Sequence, residues 1–299
     1  MLGALLQQIV SGLAVGSVYA LVALAFSLTV RALNQINFAT GELFMMGAYV
    51  GIGFTVTLGL PFWLAIPLTA IAVSVIGVVF EKLAYRPVFK ANVSHPARLH
   101  ILIICSTIGT GIFLQNGAML LWGAQALPFP KVFDQEPLSV FGALIPTEYL
   151  WITAVAIALM ASLNFFLQHS WIGKGMRAAA QDRETAALMG VRLAAADSWT
   201  FGLSAGVGAV GGLLIGAISF AYPTMGAGYA LKGFTAAVIG GLGSMRGALI
   251  GGLLLGLAES LVIALISSVY KDVVAFALLL LFLQFKPSGL LLKPVQRRV

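Results

Sequence analysis

The chain predicts an all-α, polytopic transmembrane helical bundle, and three observations carry that prediction. Hydrophobic residues make up 60% of the 299 positions and charged residues only 9%, whereas soluble globular chains are roughly a quarter charged. Mean hydropathy is +1.00. Apolar runs near the ~20 residues a helix needs to cross a ~30 Å hydrocarbon core recur from end to end. Only short polar turns separate them, so residues 1–299 read as one membrane domain.

About eight to nine spans follow, some short or broken. The first, at 5–30, has no Lys or Arg before Arg31 and no small-residue cleavage site, so it reads as a retained span and not a signal peptide. A polar turn over 31–40 leads to the second, at 41–58. Pro61 opens the third, at 61–80, in keeping with proline's preference for the first helical turn. A basic loop over 81–99 precedes the fourth, at 100–122. The loop 123–148 carries Pro128, Pro130, Pro137 and Pro146, which cannot continue a helix. The fifth span, 149–168, runs into a polar island. The sixth, 198–220, is glycine-rich; the seventh, 231–243, is short; the eighth, 247–266, contains Glu259; the ninth, 273–285, ends at Lys286.

Direction comes from the bias of Lys and Arg toward the cytoplasm. With the N-terminus outside and the C-terminus cytoplasmic, the inner set is Arg31, Lys82, Arg86, Lys90, Arg98, Lys174, Arg177, Arg183, Arg192, Arg246, Lys286, Lys293, Arg297 and Arg298, 14 of the 17 basic residues. Lys131, Lys232 and Lys271 then lie outside with Asp134, Glu136, Glu148 and Asp272. This split puts the island inside and requires 231–243 to cross or nearly cross.

The net charge of +7 does not indicate nucleic acid, because the basic residues are scattered through short loops without aromatic interleaving. Cys105 is the only cysteine, which excludes a disulfide framework and a thiolate metal site. His95, His100 and His169 are isolated near span ends, and no metal or other cofactor is expected. Gly173-Lys174-Gly175 fails the spacing of a phosphate-binding loop, and Leu203-Ser204-Ala205-Gly206 lies inside a span where nucleotide cannot reach it. The chain is therefore not expected to hydrolyse ATP itself or to be an enzyme.

Three sets of residues carry candidate function. The island, about 169–197, reads as one short exposed Ala-rich helix between Gly175 and Gly190, with Arg177, Gln181 and Glu184 on one face at i, i+4 and i+7. Asp182 and Ala186 lie within it. Polar residues at membrane depth form the second set: Asn34, Gln35, Asn37, Thr40 and Glu42 around the first turn, Thr107, Gly111 and Gln115 along one face of the fourth span with Asn116 beside them, and Glu259 in the eighth. Glu42 reads equally as a path-lining carboxylate or as an acid favoured by a helix N-terminus. The third set is glycine at four-residue spacing, including Gly202 and Gly206, then Gly208, Gly212 and Gly216, then Gly247 and Gly251, which lets helix backbones approach closely.

Several segments together resemble the permease subunits of high-affinity branched-chain amino-acid ABC importers, the H-type Liv permeases. They are Asn37-Phe38-Ala39-Thr40-Gly41-Glu42 with Met46-Gly47-Ala48-Tyr49, Tyr85-Arg86-Pro87 ahead of Thr107-Ile108-Gly109 and Gln115-Asn116, the island, and the run from Ala236 to Gly252. They keep their order over nearly the whole chain. Thr40 departs from the expected His or Gln, and 193–197 is blander than the family pattern.

The resemblance implies an importer subunit in the bacterial inner membrane, working with ATP-binding-cassette ATPase subunits, a second and related permease, and a soluble substrate-binding protein. Branched-chain or related amino acids would be its solute, with urea or short amides as the alternative. In that scheme the island is the coupling helix, with Arg177, Asp182, Ala186 and Gly190 matching the family pattern. An ion-coupled secondary transporter remains the competing reading, with Glu42 and Glu259 as cation sites.

Overall fold

The computed structural model describes residues 2–90, 96–129, 137–140 and 143–291. The readings of His95, Pro130, Lys131, Asp134, Glu136, Lys293, Arg297 and Arg298 concern positions outside these described residues. Twelve helices are named in chain order. α1 (Leu2–Leu33) is followed by α2 (Thr40–Ile52), whose end widens into a π-helical turn at Gly53–Thr57. α3 (Phe62–Phe80) passes through a second π-helical turn at Glu81–Tyr85 into α4 (Arg86–Lys90). Next come α5 (Pro96–Trp122), α6 (Thr147–His169), α7 (Trp171–Gln181), α8 (Arg183–Leu188), α9 (Leu193–Gly216), α10 (Met225–Gly240), α11 (Met245–Leu265) and α12 (Lys271–Phe285). Four short strands complete the fold: β1 (Leu127–Pro128) pairs antiparallel with β4 (Phe220–Ala221), and β2 (Leu138–Val140) with β3 (Ala143–Ile145).

Seven helices among the described residues are long and apolar enough to cross a membrane by themselves. α2 and α10 lie where the other two spans are predicted, but with 13 and 16 residues they reach only about 20 and 24 Å, short of a ~30 Å core. α2 is buried along nearly its whole length and α10 chiefly in its second half. α9 is almost wholly buried, with 89% of its most apolar window covered, whereas only 6% of that of α12 is. The bundle is thus built around α1, α2, α9, α10 and α11, with α5, α6 and α12 more exposed.

Small residues set the spacing at the centre. Gly12 and Gly16 of α1 lie against Gly252, Gly256 and Ser260 of α11, and Gly247 and Gly251 of α11 lie against Gly240 and Ala236 of α10. Gly202 and Gly206 bring α9 against Ser74 and Ala70 of α3, while Gly208, Gly212 and Gly216 face α2 and its approach through Thr40, Phe44 and Ala48. The closest approach is at Gly212, where a Cβ would overlap the carbonyl oxygen of Phe44. Backbone cannot yield as a flexible side chain can. Gly212→Val is therefore expected to cost at least the ~1–3 kcal/mol typical of overpacking, seen as a lower unfolding midpoint and a lower yield in detergent.

The polar turn after α1 does not stay at the surface. Asn37 and Thr40 are buried, and a Cβ on Gly208 would stand 3.9 Å from the Thr40 carbonyl oxygen. Gly208 lies fifteen residues into α9, about 22 Å from its start. The turn thus climbs into the bundle before α2 begins. Its free polar groups are met locally: Asn37 Oδ1 accepts from the Ala39 N–H at 3.0 Å, and the Thr40 hydroxyl donates to the Asn37 carbonyl at 2.7 Å.

Candidate functional site

The island folds as two helices and not the single predicted one. Ser170 caps α7 by accepting from the Gly173 N–H at 2.9 Å. The chain then turns extended at Asp182 (φ −154°, ψ 111°), whose carboxylate caps α8 by accepting from the N–H groups of Glu184 and Thr185 at 3.0 and 3.1 Å. Asp is a strong N-cap residue, and its local bonds outcompete the Ala-rich tendency to continue one helix. The Thr185 hydroxyl adds a 2.6 Å bond, and these contacts, Thr185's first, hold the Asp182 carboxyl below the usual carboxylate range. Gly190 closes α8 with φ +86°, a left-handed conformation suited to glycine.

The break separates Arg177 and Gln181 from Glu184, so these three do not form one face. Arg177 turns inward and donates to the carbonyl of Leu167. Ala186 is buried and Gly175 half-buried, whereas Gln181, Asp182 and Glu184 are exposed. Large apolar side chains are exposed on the island, Leu188 at 88%, Trp171 at 86% and Met189 at 81%. This capped elbow is fastened by Arg183, whose Nη1 and Nη2 reach Asp197 Oδ1 and Oδ2 of α9 at 3.0 and 2.8 Å. Arg183 also approaches the Ala32 carbonyl at 3.4 Å and lies 6.0 Å from the centroid of the Phe89 ring.

A second tie lies just past the elbow. Arg86 donates to Glu81 at 3.0 and 3.1 Å and to Ser198 Oγ at 2.8 Å, and the Ser198 hydroxyl lies 2.8 Å from Glu81. In an α-helix residues five apart point in different directions; the π-helical turn between Glu81 and Arg86 brings them onto one face. The end of α3 and the start of α9 are thereby joined.

The polar residues within the bundle fall into separate groups. Asn37 and Thr107 line a cavity of about 20 Å³ with Tyr85, Thr110 and Phe201, room for about one water. Glu42 occupies the gap left by two glycines, Gly111 of α5 and Gly226 at the start of α10, and its Oε2 is buried without a hydrogen bond. The N-termini of two short helices, α2 and α10, meet there through Gly41 and Gly226. Thr107 and Gly111 are buried and Gln115 is half-buried, but Asn116 is exposed and bonds its own helix at Ile112, away from this group. Asn34, at φ 53°, is exposed near Arg31.

Glu259 belongs to a different cluster. Its Oε2 accepts from the Tyr19 hydroxyl at 2.8 Å, and its Oε1 lies 3.0 Å from Lys232 Nζ. Lys232 also reaches Asp272 at 2.9 Å. The sequence reading placed Lys232 at the outer end of the seventh span; because α10 starts at Met225, six residues earlier than expected, Lys232 lies two turns into the helix, with a side chain only 16% exposed. Tyr229 stands between the clusters, stacked on Phe44 at 4.9 Å and 6.2 Å from Tyr19.

A bundle of seven long apolar helices, with two shorter ones packed among them and polar groups buried inside, defines a multi-pass membrane protein. The family described as "Branched-chain amino acid transport system / permease component" matches residues 8–283, and the chain belongs to it. It is 36% identical to the high-affinity branched-chain amino acid transport system permease protein LivH of Escherichia coli (strain K12), over 98% of this chain and 97% of that one. It is 37% identical to the corresponding permease protein BraD of Pseudomonas aeruginosa, over 98% of each. A probable branched-chain amino acid transport permease protein LivH of Methanocaldococcus jannaschii is 26% identical over 90% of this chain and 87% of its own.

Proposed function

We propose that the chain is a transmembrane subunit of an ATP-binding-cassette importer in a bacterial inner membrane, with its N-terminus outside and its C-terminus in the cytoplasm. It pairs with a second, related permease and receives a branched-chain or related amino acid from a soluble binding protein. ATPase subunits engage the elbow of α7 and α8. The observation that carries this reading is the elbow itself: its caps and its tie to Asp197 make it a firm lever, and Leu188 and Met189 leave an apolar tip for a partner's groove. The names of the relatives support the solute class.

In this reading the path runs past Asn37, Thr40, Glu42, Thr107 and Gln115 and is closed in the present conformation. Opening it requires movement of α2, α5, α9 and α10, and rocking of packed repeats or bundles is an established route to alternating access. The ion-coupled alternative is weakened at Glu259, whose carboxylate is already matched by Lys232.

Reconstituted with its partner subunits in liposomes, the assembly is expected to accumulate leucine when ATP is supplied on the ATPase side and to show no accumulation with a proton or sodium gradient alone. Leu188→Asp is expected to leave membrane insertion intact and to lower ATP-driven uptake about tenfold, the equivalent of one lost apolar anchor at an interface. Gradient-driven uptake by this chain alone would overturn the proposal.

A further inference from the structure

The end of the bundle that carries the elbow holds a cavity of about 600 Å³ bounded by the ends of α1 and α6 and the turn into α11. Arg31 and Arg246 both line it, together with Asn34, Asn164, Gln168 and Ser244. A smaller cavity of about 140 Å³ shares Arg31, Asn164 and Gln168 and is closed by Met176 and Arg177 of α7. No Asp or Glu lines either one among the described residues. Among the described residues Arg31 and Arg246 make no ion pair or side-chain hydrogen bond, whereas Arg86, Arg177 and Arg183 are engaged. The first N–H groups of α11 open at the same place, since Ser244 satisfies only that of Gly247.

We infer that this cavity binds the phosphate headgroup of an anionic phospholipid, held by Arg31 and Arg246 and wedged beside Arg177 at the root of the elbow. Two permanently charged guanidinium groups facing neutral amides have no internal counter-charge, and a phosphodiester supplies one with oxygens suited to their planar donors. An amino-acid zwitterion fits less well, because nothing anionic in the cavity receives its ammonium group. The level also matches: Arg31 closes α1, Gln168 lies in the last turn of α6 and Arg246 opens α11, so the three spans end together where headgroups lie. A lipid seated there would stiffen the root of the lever. Its binding is measured without transport, so it stands or falls separately from the function proposed above.

The test is native mass spectrometry of the full chain in detergent, titrated with short-chain phosphatidylglycerol or phosphatidylcholine. Wild type is expected to retain phosphatidylglycerol saturably and phosphatidylcholine far less. R31Q/R246Q is expected to weaken phosphatidylglycerol retention about 30-fold, the loss of two basic contacts to an anionic lipid, while R31K/R246K keeps most of it. Equal retention by wild type and R31Q/R246Q, equal binding of both lipids, or displacement of the lipid by millimolar leucine or inorganic phosphate overturns the inference. Should R31Q/R246Q not fold, R246Q alone, at an exposed first-turn position, is expected to give about a fivefold loss; no loss in R246Q counts against the site.

Discussion

Lys232→Met is expected to destabilise the bundle by ~3–5 kcal/mol, the cost of leaving one member of a buried ion pair uncompensated. The ammonium group lies 3.0 Å from Glu259 and 2.9 Å from Asp272. Its two partners differ in what they lose: the Asp272 side chain is 55% exposed and recovers solvation, but that of Glu259 is 6% exposed and keeps only the Tyr19 hydroxyl. The penalty therefore falls on Glu259. Neutralising that carboxylate as well removes the stranded charge, so K232M/E259Q is expected to recover most of the loss. Glu259→Ala, which leaves Lys232 its bond to Asp272, is expected to be milder and to lower transport more than expression. Thermal unfolding in detergent of wild type, K232M, E259Q and K232M/E259Q gives the coupling directly. A K232M protein as stable as wild type would show that Glu259 does not depend on its charge partner.

How much of this could be read from the sequence differs by element. Seven long helices were legible because hydropathy marks them, while the two shorter runs fold as α2 and α10, of 13 and 16 residues, and do not reach that length. The start of α10 was hidden: Met225 to Gly228 is Gly- and Ala-rich, and Thr224 makes no capping bond. That hid Lys232 as well, so Glu259 stood out as a buried acid without a partner. At the island the Ala-rich composition argued for one helix, and a single capping residue, Asp182, overrode it. Nothing in the local pattern marks Leu188 and Met189, which the structure leaves exposed. Arg183 was visible only as one more inner positive charge, because Asp197 lies across a turn and on another helix, where no periodicity connects them. The meeting of Glu42 with Gly111 and Gly226 is likewise set by packing among α2, α5 and α10, which local pattern does not encode.

Arg183→Asp is expected to leave stability nearly unchanged while lowering ATP-driven uptake about 100-fold, within the range of typical coupling energies. The two expectations separate because they ask different things of the same contact. As a stabilising interaction the pair is modest: the Arg183 side chain is 35% exposed and that of Asp197 19%, and pairs open to water contribute about 1 kcal/mol or less. As a mechanical joint it is the one ion pair between α8 and α9 among the described residues. Two parallel bonds fix the orientation of α8 relative to α9, and further contacts to the Ala32 carbonyl and the Phe89 ring bring α1 and α4 to the same guanidinium. Placing two carboxylates there makes the elbow swing away, so movement of its tip no longer reaches α9. ATP hydrolysis by the assembled importer should then continue with little transport, and R183D/D197R should restore part of the uptake by reversing the polarity of the joint. Normal uptake by R183D, or an equal collapse of hydrolysis and folding, would mean that the pair does not transmit motion from the elbow to the bundle.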